Sequence, residues 1–315
     1  MSISNPIEIP KVCIYPECKS HLNGKASCPE PGSIVRHAYF LRKSDGQKSV
    51  RFLCNHCGRT FSTASLLPEV NQKKRQLNSQ VFNYLGSGVS LNRISLLLQI
   101  NRKTVVKKFL FTAAQAKVGQ DAKIVDMIEK GEKIDMIQFD EMESSIHTKC
   151  LPVSMPIVVA AQSRFILGIG VAQMPAKGKL AKISVKKYGH RKDERKEAAE
   201  KLLSNLKGII AENVNVLSDK NPNYPKWISS QFPNASHSVV KGVRGAITGQ
   251  GELKKKRFDP MFSFNHTAAM YRANVNRLFR RTWNTSKRMD RLLAHMTLYM
   301  HFHNTVLLPK NVTIN

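Results

Sequence analysis

The tightest constraint on this chain is the stretch Ile134–Glu143, which reads Ile-Asp-Met-Ile-Gln-Phe-Asp-Glu-Met-Glu. It is a short apolar run that ends in carboxylates. Acidic residues are scarce around it: 50 Lys and Arg stand against 22 Asp and Glu, a formal net charge of +28. An acidic cluster at the end of an apolar, strand-like run therefore needs a reason. A second carboxylate, Asp219, follows another such run, Val214-Asn215-Val216-Leu217-Ser218. Two carboxylates brought together at strand ends can hold a divalent ion, Mg²⁺ or Mn²⁺, and such an ion beside phosphate supports phosphoryl transfer.

The rest of the composition narrows the partners. A hydrophobic content of 42% over 315 residues fits more than one domain with a real core and excludes a disordered chain. No apolar run is long enough to cross a bilayer and no signal-peptide pattern opens the chain, so a cytoplasmic location with no membrane partner is expected. Lys and Arg are spread along the whole length, which points to an extended path for a polyanion rather than a basic tail. Five of the six cysteines, Cys13, Cys18, Cys28, Cys54 and Cys57, fall in the first sixty residues. In a cytoplasmic chain that bias indicates metal ligation, not disulfides. The sixth, Cys150, reads as an ordinary buried thiol.

Residues 1–67 form the first expected domain. Cys54-Asn-His-Cys57-Gly58 lets two thiolates reach one tetrahedral ion, with Gly58 permitting the tight turn behind them. Cys13 and Cys18 supply the other pair across a wider gap, and Cys28 or His21 can stand in for one of them. Between the pairs, His37–Leu41 and Ser49–Leu53 alternate like strands joined around Asp45-Gly46. Knuckle, hairpin, knuckle is the pattern of a zinc ribbon holding one structural Zn²⁺.

Residues 68–131 turn helical. Val81, Tyr84 and Leu85 recur at helix spacing. Ser90 can cap a second helix in which Leu91, Ile94, Leu97 and Leu98 share a face. Ile100-Asn101 makes the turn, and a third helix starts at Arg102. Its basic residues are expected to point away from Val105 and Phe109. This is a helix-turn-helix pattern, with Arg102, Lys103 and Lys107 facing duplex DNA. Ala113–Glu129 continues as a connecting helix that Gly131 ends.

Residues 132–315 carry the carboxylates. Ile134–Phe139, Pro156–Ala161 and Phe165–Val171 read as an antiparallel meander, and Lys177–His190 as a Lys- and Gly-rich loop. An amphipathic helix over Lys192–Ile210 follows, then strand Val214–Leu217, helix Tyr224–Gln231 and strand Ser238–Val240. After a basic loop, Lys241–Arg257, helices cover Thr267–Phe279 and Ser286–His303. Neighbouring strand residues point to opposite faces, so of Asp140 and Glu141 only Asp140 is expected at the metals.

This order of elements resembles an RNase H-like fold with a mixed five-stranded sheet, in which the ends of the first and fourth strands lie side by side. The whole chain, an expected multidomain α+β protein, resembles an insertion-sequence transposase of the DDE type. The resemblance is carried by Phe139-Asp140-Glu141-Met142, by Ser218-Asp219, and by Asn265-His266-Thr267-Ala268-Ala269-Met270-Tyr271-Arg272 with Arg277-Leu278-Phe279-Arg280-Arg281-Thr282-Trp283. It implies two metal ions at Asp140 and Asp219, nicking of element ends, and joining of 3′ ends to target DNA. It also implies a homo-oligomer on double-stranded DNA, associated with the nucleoid. Lys254, Lys255, Lys256, Arg257, Arg272, Arg277, Arg280 and Arg281 would hold phosphates. Where the family places its third acid, this chain has Asn265-His266. Either the triad is Asp-Asp-Asn or Asp-Asp-His, or the chain is an inactive, transposase-derived DNA-binding regulator.

Overall fold

The structure, a computed structural model, describes residues 8–18, 32–42, 46, 48–241, 259–279 and 284–309. The expected roles of His21, Cys28, Asp45, Lys254, Lys255, Lys256, Arg257, Arg280 and Arg281 lie outside those residues. The chain divides into two compact units, Met1–Leu77 and Asn78–Asn315. Among the described residues no helix is long and apolar enough to cross a membrane.

The first unit is built on a three-stranded antiparallel sheet of β1 (Ile34–Leu41), β2 (Lys48–Cys54) and β3 (Thr60–Ser62). Gly46 at the hairpin tip takes φ +66°, which favours glycine. Among the described residues the unit's buried core is Ile34, Val50, Phe52 and Phe61, with Cys13, Cys18 and Cys54. A core of that size supplies little stability, and a metal cross-link would add to it.

The second unit opens with helices α1 (Asn78–Gly86), α2 (Leu91–Leu97) and α3 (Arg102–Glu129). Ser90 caps α2, its Oγ accepting from the Arg93 amide, and Asn101 caps α3 through the Lys103 amide. The third helix and the expected connecting helix are one element that runs unbroken to Glu129, and Gly131 at φ +67° turns the chain after it. Two expectations fail here. Leu97 is 59% exposed instead of sharing the buried face of Ile94. Lys108 points inward, buried, its Nζ donating to Asn78 Oδ1 at 2.8 Å. α3 packs through Val105, Lys108, Phe109 and Thr112.

These helices are not a separate body. His295 of the last helix bonds the Leu85 carbonyl at 3.2 Å and meets the Phe109 ring edge-on. A methyl group on Gly86 would lie 2.5 Å from the Phe302 ring, and one on Gly119 2.6 Å from the His301 ring. Only glycine lets the backbones of α1 and α3 come that close.

The central sheet has β4 (Ile134–Ser145), β5 (Pro152–Ala160), β6 (Ile166–Ile169), β8 (Ile210–Ser218) and β9 (Ser236–Val239) in the order β6-β5-β4-β8-β9. The short β7 (Ala172–Gln173) pairs with β5 and makes a sixth strand. β4, β5 and β6 form an antiparallel meander, and β8 and β9 run parallel to β4. Alternation splits the core. Val158, Ala160, Phe139 and Val216 pack on one side with Leu202, Leu203, Trp227 and Ile228. Ile157, Val159, Met142 and Met155 pack on the other with Phe264, Tyr271, Met296 and Tyr299. Each such side chain contributes about 1.5–3 kcal/mol when fully buried.

The first side is covered by α5 (Arg195–Ser204) and α6 (Tyr224–Gln231), the second by α7 (Phe262–Asn274) and α8 (Met289–Phe302). α5 is shorter than the expected Lys192–Ile210, because Ile210 already belongs to β8. The expected Lys-rich loop contains α4 (Leu180–Tyr188), anchored by Ser184, whose Oγ donates to the Cys150 carbonyl at 2.6 Å.

Candidate functional site

In the first unit the register of β2 and the turn behind it bring two cysteine pairs together. Cys13 and Cys57 sulfurs lie 3.8 Å apart, and Cys18 and Cys54 sulfurs 3.7 Å apart. All four lie within 4.8 Å of one another. A tetrahedral zinc with metal–sulfur bonds of ~2.3 Å sets its sulfurs ~3.8 Å apart, so the spacing fits such an ion. The four thiols could thus hold a metal such as zinc. Gly58 at φ +68° closes the turn, its amide donating to the Cys54 carbonyl at 2.8 Å. Arg59 lies over the Tyr15 ring and pairs with Glu17 at 3.1 Å. Burial, with the neighbouring thiols adding, pushes the Cys13 thiol up to about 12. The thiolate form therefore depends on a cation.

In the second unit β4 is longer than expected and outruns its parallel neighbour. The last rung of that pairing is Phe139 with Ser218. The next residues on the two strands are Asp140 and Asp219, side by side and both half-buried. Burial, then the charge of Asp219, pushes Asp140 up to about 6. The Asp219 carboxylate also accepts from the Asn221 amide at 3.0 Å, which fixes the turn leaving β8.

Beyond Phe139 the β8 side of β4 is open, and Tyr224 from the first turn of α6 fills the notch. Its ring packs edge-on against Phe139 at 4.9 Å. Its hydroxyl donates to Asp140 Oδ1 at 2.8 Å and reaches Glu141 Oε2 at 3.2 Å. Where the second strand is missing, one phenol thus reaches the carboxylates of two adjacent residues. Ser154 Oγ also donates to Glu141. Burial chiefly raises the Glu141 carboxyl too. Burial and the surrounding carboxylates hold the Tyr224 phenol far above its ordinary range, so it stays a donor. Tyr224 had no chemical signature in the sequence. Its one signal was an aromatic at the start of a helix five residues after Asp219.

Asn265 and His266 bond elsewhere. Asn265 is exposed and donates to Asp259 Oδ2 at 2.9 Å. His266 lies beside the Arg164 guanidinium at 3.4 Å and against the Phe262 ring, and burial with Arg164 lowers its pKa. The helix carrying them is fixed by Gln138, which accepts from the Phe264 amide at 2.7 Å and donates to the Pro260 carbonyl at 2.8 Å. Among the described residues, the four cysteines are the only group of three or more His, Cys, Asp or Glu gathered this closely.

Arg102, Lys103 and Lys107 are all exposed at the start of α3. Arg272 and Arg277 line a cleft at the far end of β4. Neither protein-family models nor curated proteins give a match to this sequence.

Proposed function

We propose that this chain is a metal-dependent DNA transposase: it binds the ends of an insertion element as a homo-oligomer, nicks DNA and joins 3′ ends to a target. The observation that carries the reading is the rung Phe139–Ser218, which leaves Asp140 and Asp219 adjacent at the mouth of a notch. The strand order, antiparallel on one side of β4 and parallel on the other, supports an RNase H-like catalytic domain. The exposed cations of α3, after a capped α2, support a helix-turn-helix that meets DNA.

The donor set at the notch fits Mg²⁺ or Mn²⁺. Both ions favour oxygen ligands, and two adjacent carboxylates of which one is raised to about 6 are stabilised by a cation. Asp140 and Asp219 would hold it, with Glu141 the nearest third carboxylate. When bound, such an ion neutralises charge on a phosphate and lowers the pKa of a water nucleophile. The chain's own groups prepare the site. Tyr224 holds a proton between Asp140 and Glu141 and fixes their rotamers. Asp219 is fixed by the Asn221 amide.

A second reading, an inactive DNA-binding regulator, draws on the engagement of Asn265 with Asp259 and of His266 with Arg164. One assay separates the two. Duplex oligonucleotides carrying the element's ends are incubated with Mg²⁺ or Mn²⁺. Nicking lost in Asp140→Asn and in Asp219→Asn is the expected result. Tight binding to those ends without nicking at any metal concentration supports the regulator.

A further inference from the structure

The cleft at the far end of β4, about 860 Å³, collects cations from three stretches of chain: Lys149 in the β4–β5 turn, Arg272 near the end of α7 with Arg277 in the turn just beyond it, and Lys287 before α8. Among the described residues the one carboxylate in its wall, Glu143, is already held by Lys177 at 2.9 Å. Arg277 is half-buried, and its Nε is a buried donor with no hydrogen-bond partner among the described residues. Its Nη1 reaches Ser286 Oγ at 3.4 Å, and its guanidinium lies over the Phe109 ring at 5.4 Å. A guanidinium beside two exposed ammonium groups favours an oxyanion in the cleft. Hydrogen bonds join two of the stretches that line the cleft. His147 sits at φ 62°, its amide donates to the Ser286 carbonyl at 2.8 Å, and its Nδ1 accepts from Lys287 Nζ at 3.0 Å.

Met142 and Ser144 of β4 also line the cleft, two and four residues past Asp140. At ~3.3 Å per residue the cleft begins roughly 7 Å from the carboxylate pair. A nucleic-acid strand carries a phosphate every ~3.4 Å of helix axis, so a strand held at Asp140 has other phosphates at this distance. We propose that this cleft is a phosphodiester-binding subsite, in which Lys149, Arg277 and Lys287 grip the backbone of the DNA strand a few nucleotides from the phosphate presented to Asp140 and Asp219. The assignment rests on the nuclease reading only for which strand enters it.

The test compares Lys149→Ala/Lys287→Ala with a charge-matched control, Lys186→Ala/Lys187→Ala on α4. All four lysines are exposed, so the fold is checked by thermal unfolding and expected to be unchanged. Affinity for a short DNA duplex is measured over a range of salt. The expected result is about a tenfold weaker complex at ~0.1 M salt and a log–log salt slope shallower by about 1–2, with the control close to wild type. Equal effects from the two pairs, or none from either, overturn the subsite. Inorganic phosphate at matched ionic strength serves as competitor. Loss of phosphate binding with DNA binding intact would mean a small-anion site and would overturn the assignment to DNA. Weakened DNA binding in a chain that never nicks leaves the subsite standing while the nuclease reading fails. Normal binding and nicking by Lys149→Ala/Lys287→Ala has the opposite meaning.

Discussion

The cysteine site and the carboxylate notch solve one problem in two ways. Each uses β-structure to bring anionic ligands from distant parts of the sequence together. In the first, four thiols close to within 4.8 Å around a core of a few side chains. In the second, Asp140 and Asp219 stay half-buried at the end of a pairing, above a core filled from both faces of a sheet. A closed tetrahedral set has no room for a further ligand and holds a fold together. An open pair on a fold that is stable without it keeps positions free for chemistry. The difference lies in what each site does for stability: with a metal bound the cysteine site would supply it, and the notch spends some of it, since two carboxylates repel.

Chelation should give the largest contrast. Structural zinc is worth about 10–16 kcal/mol of binding in small folds, so removing it, or Cys54→Ser, should unfold the sheet of β1–β3. Metal analysis should fall from one equivalent to none. Amide exchange should lose protection in residues 48–62 and keep it in β4, β5 and β8. Protection of β1–β3 after complete metal loss would break the comparison.

Next comes Asp140→Asn, which should abolish nicking yet stabilise the fold at neutral pH. The sign follows from Asp140 at about 6 in the folded chain, above the ~3.9 of an unfolded aspartate. Without a divalent ion, stability is full below about pH 4 and falls as pH rises through about 6, by on the order of 2 kcal/mol. Denaturant melts across that range should show the fall in wild type and flatten in Asp140→Asn. Tyr224→Phe should cost about 1–2 kcal/mol and move the pH dependence upward, because the phenol no longer favours the ionised carboxylates. An unmoved profile would mean the phenol only packs. Ser90→Ala should have the smallest effect, about 1 kcal/mol from a lost helix cap, with metal content and nicking unchanged.

Much of this arrangement was legible from local chemistry. The Cys-x-x-Cys-Gly turn, the Ser90 cap and the helix Tyr224–Gln231 each carry their cause in adjacent residues, and the structure has all three. The adjacency of Asp140 and Asp219 was legible from the order of elements. What escaped depends on partners distant in sequence. β4 extends through Asp140–Ser145 because β5 pairs with it there, and that acidic run has no strand pattern of its own. Lys108 is buried because Asn78 accepts from it. α4 lies hidden among lysines, with Ile183 and Val185 exposed and little apolar periodicity to betray it. Tyr224 looked like a helix-start aromatic, since nothing nearby in sequence shows that its hydroxyl ends between two carboxylates.

The close approach of Gly86 and Gly119 to Phe302 and His301 has a consequence for how specificity can change. Recognition helices that join the rest of a protein through a linker can be traded between relatives like interchangeable heads. Here α1 and α3 are moulded against the last helix, so, on the proposed DNA-binding role, new preferences must come by changing exposed positions such as Arg102, Lys103 and Lys107 in place. A chimera cut at residue 131 would leave a ring pressed against a foreign side chain and an imidazole facing an empty groove.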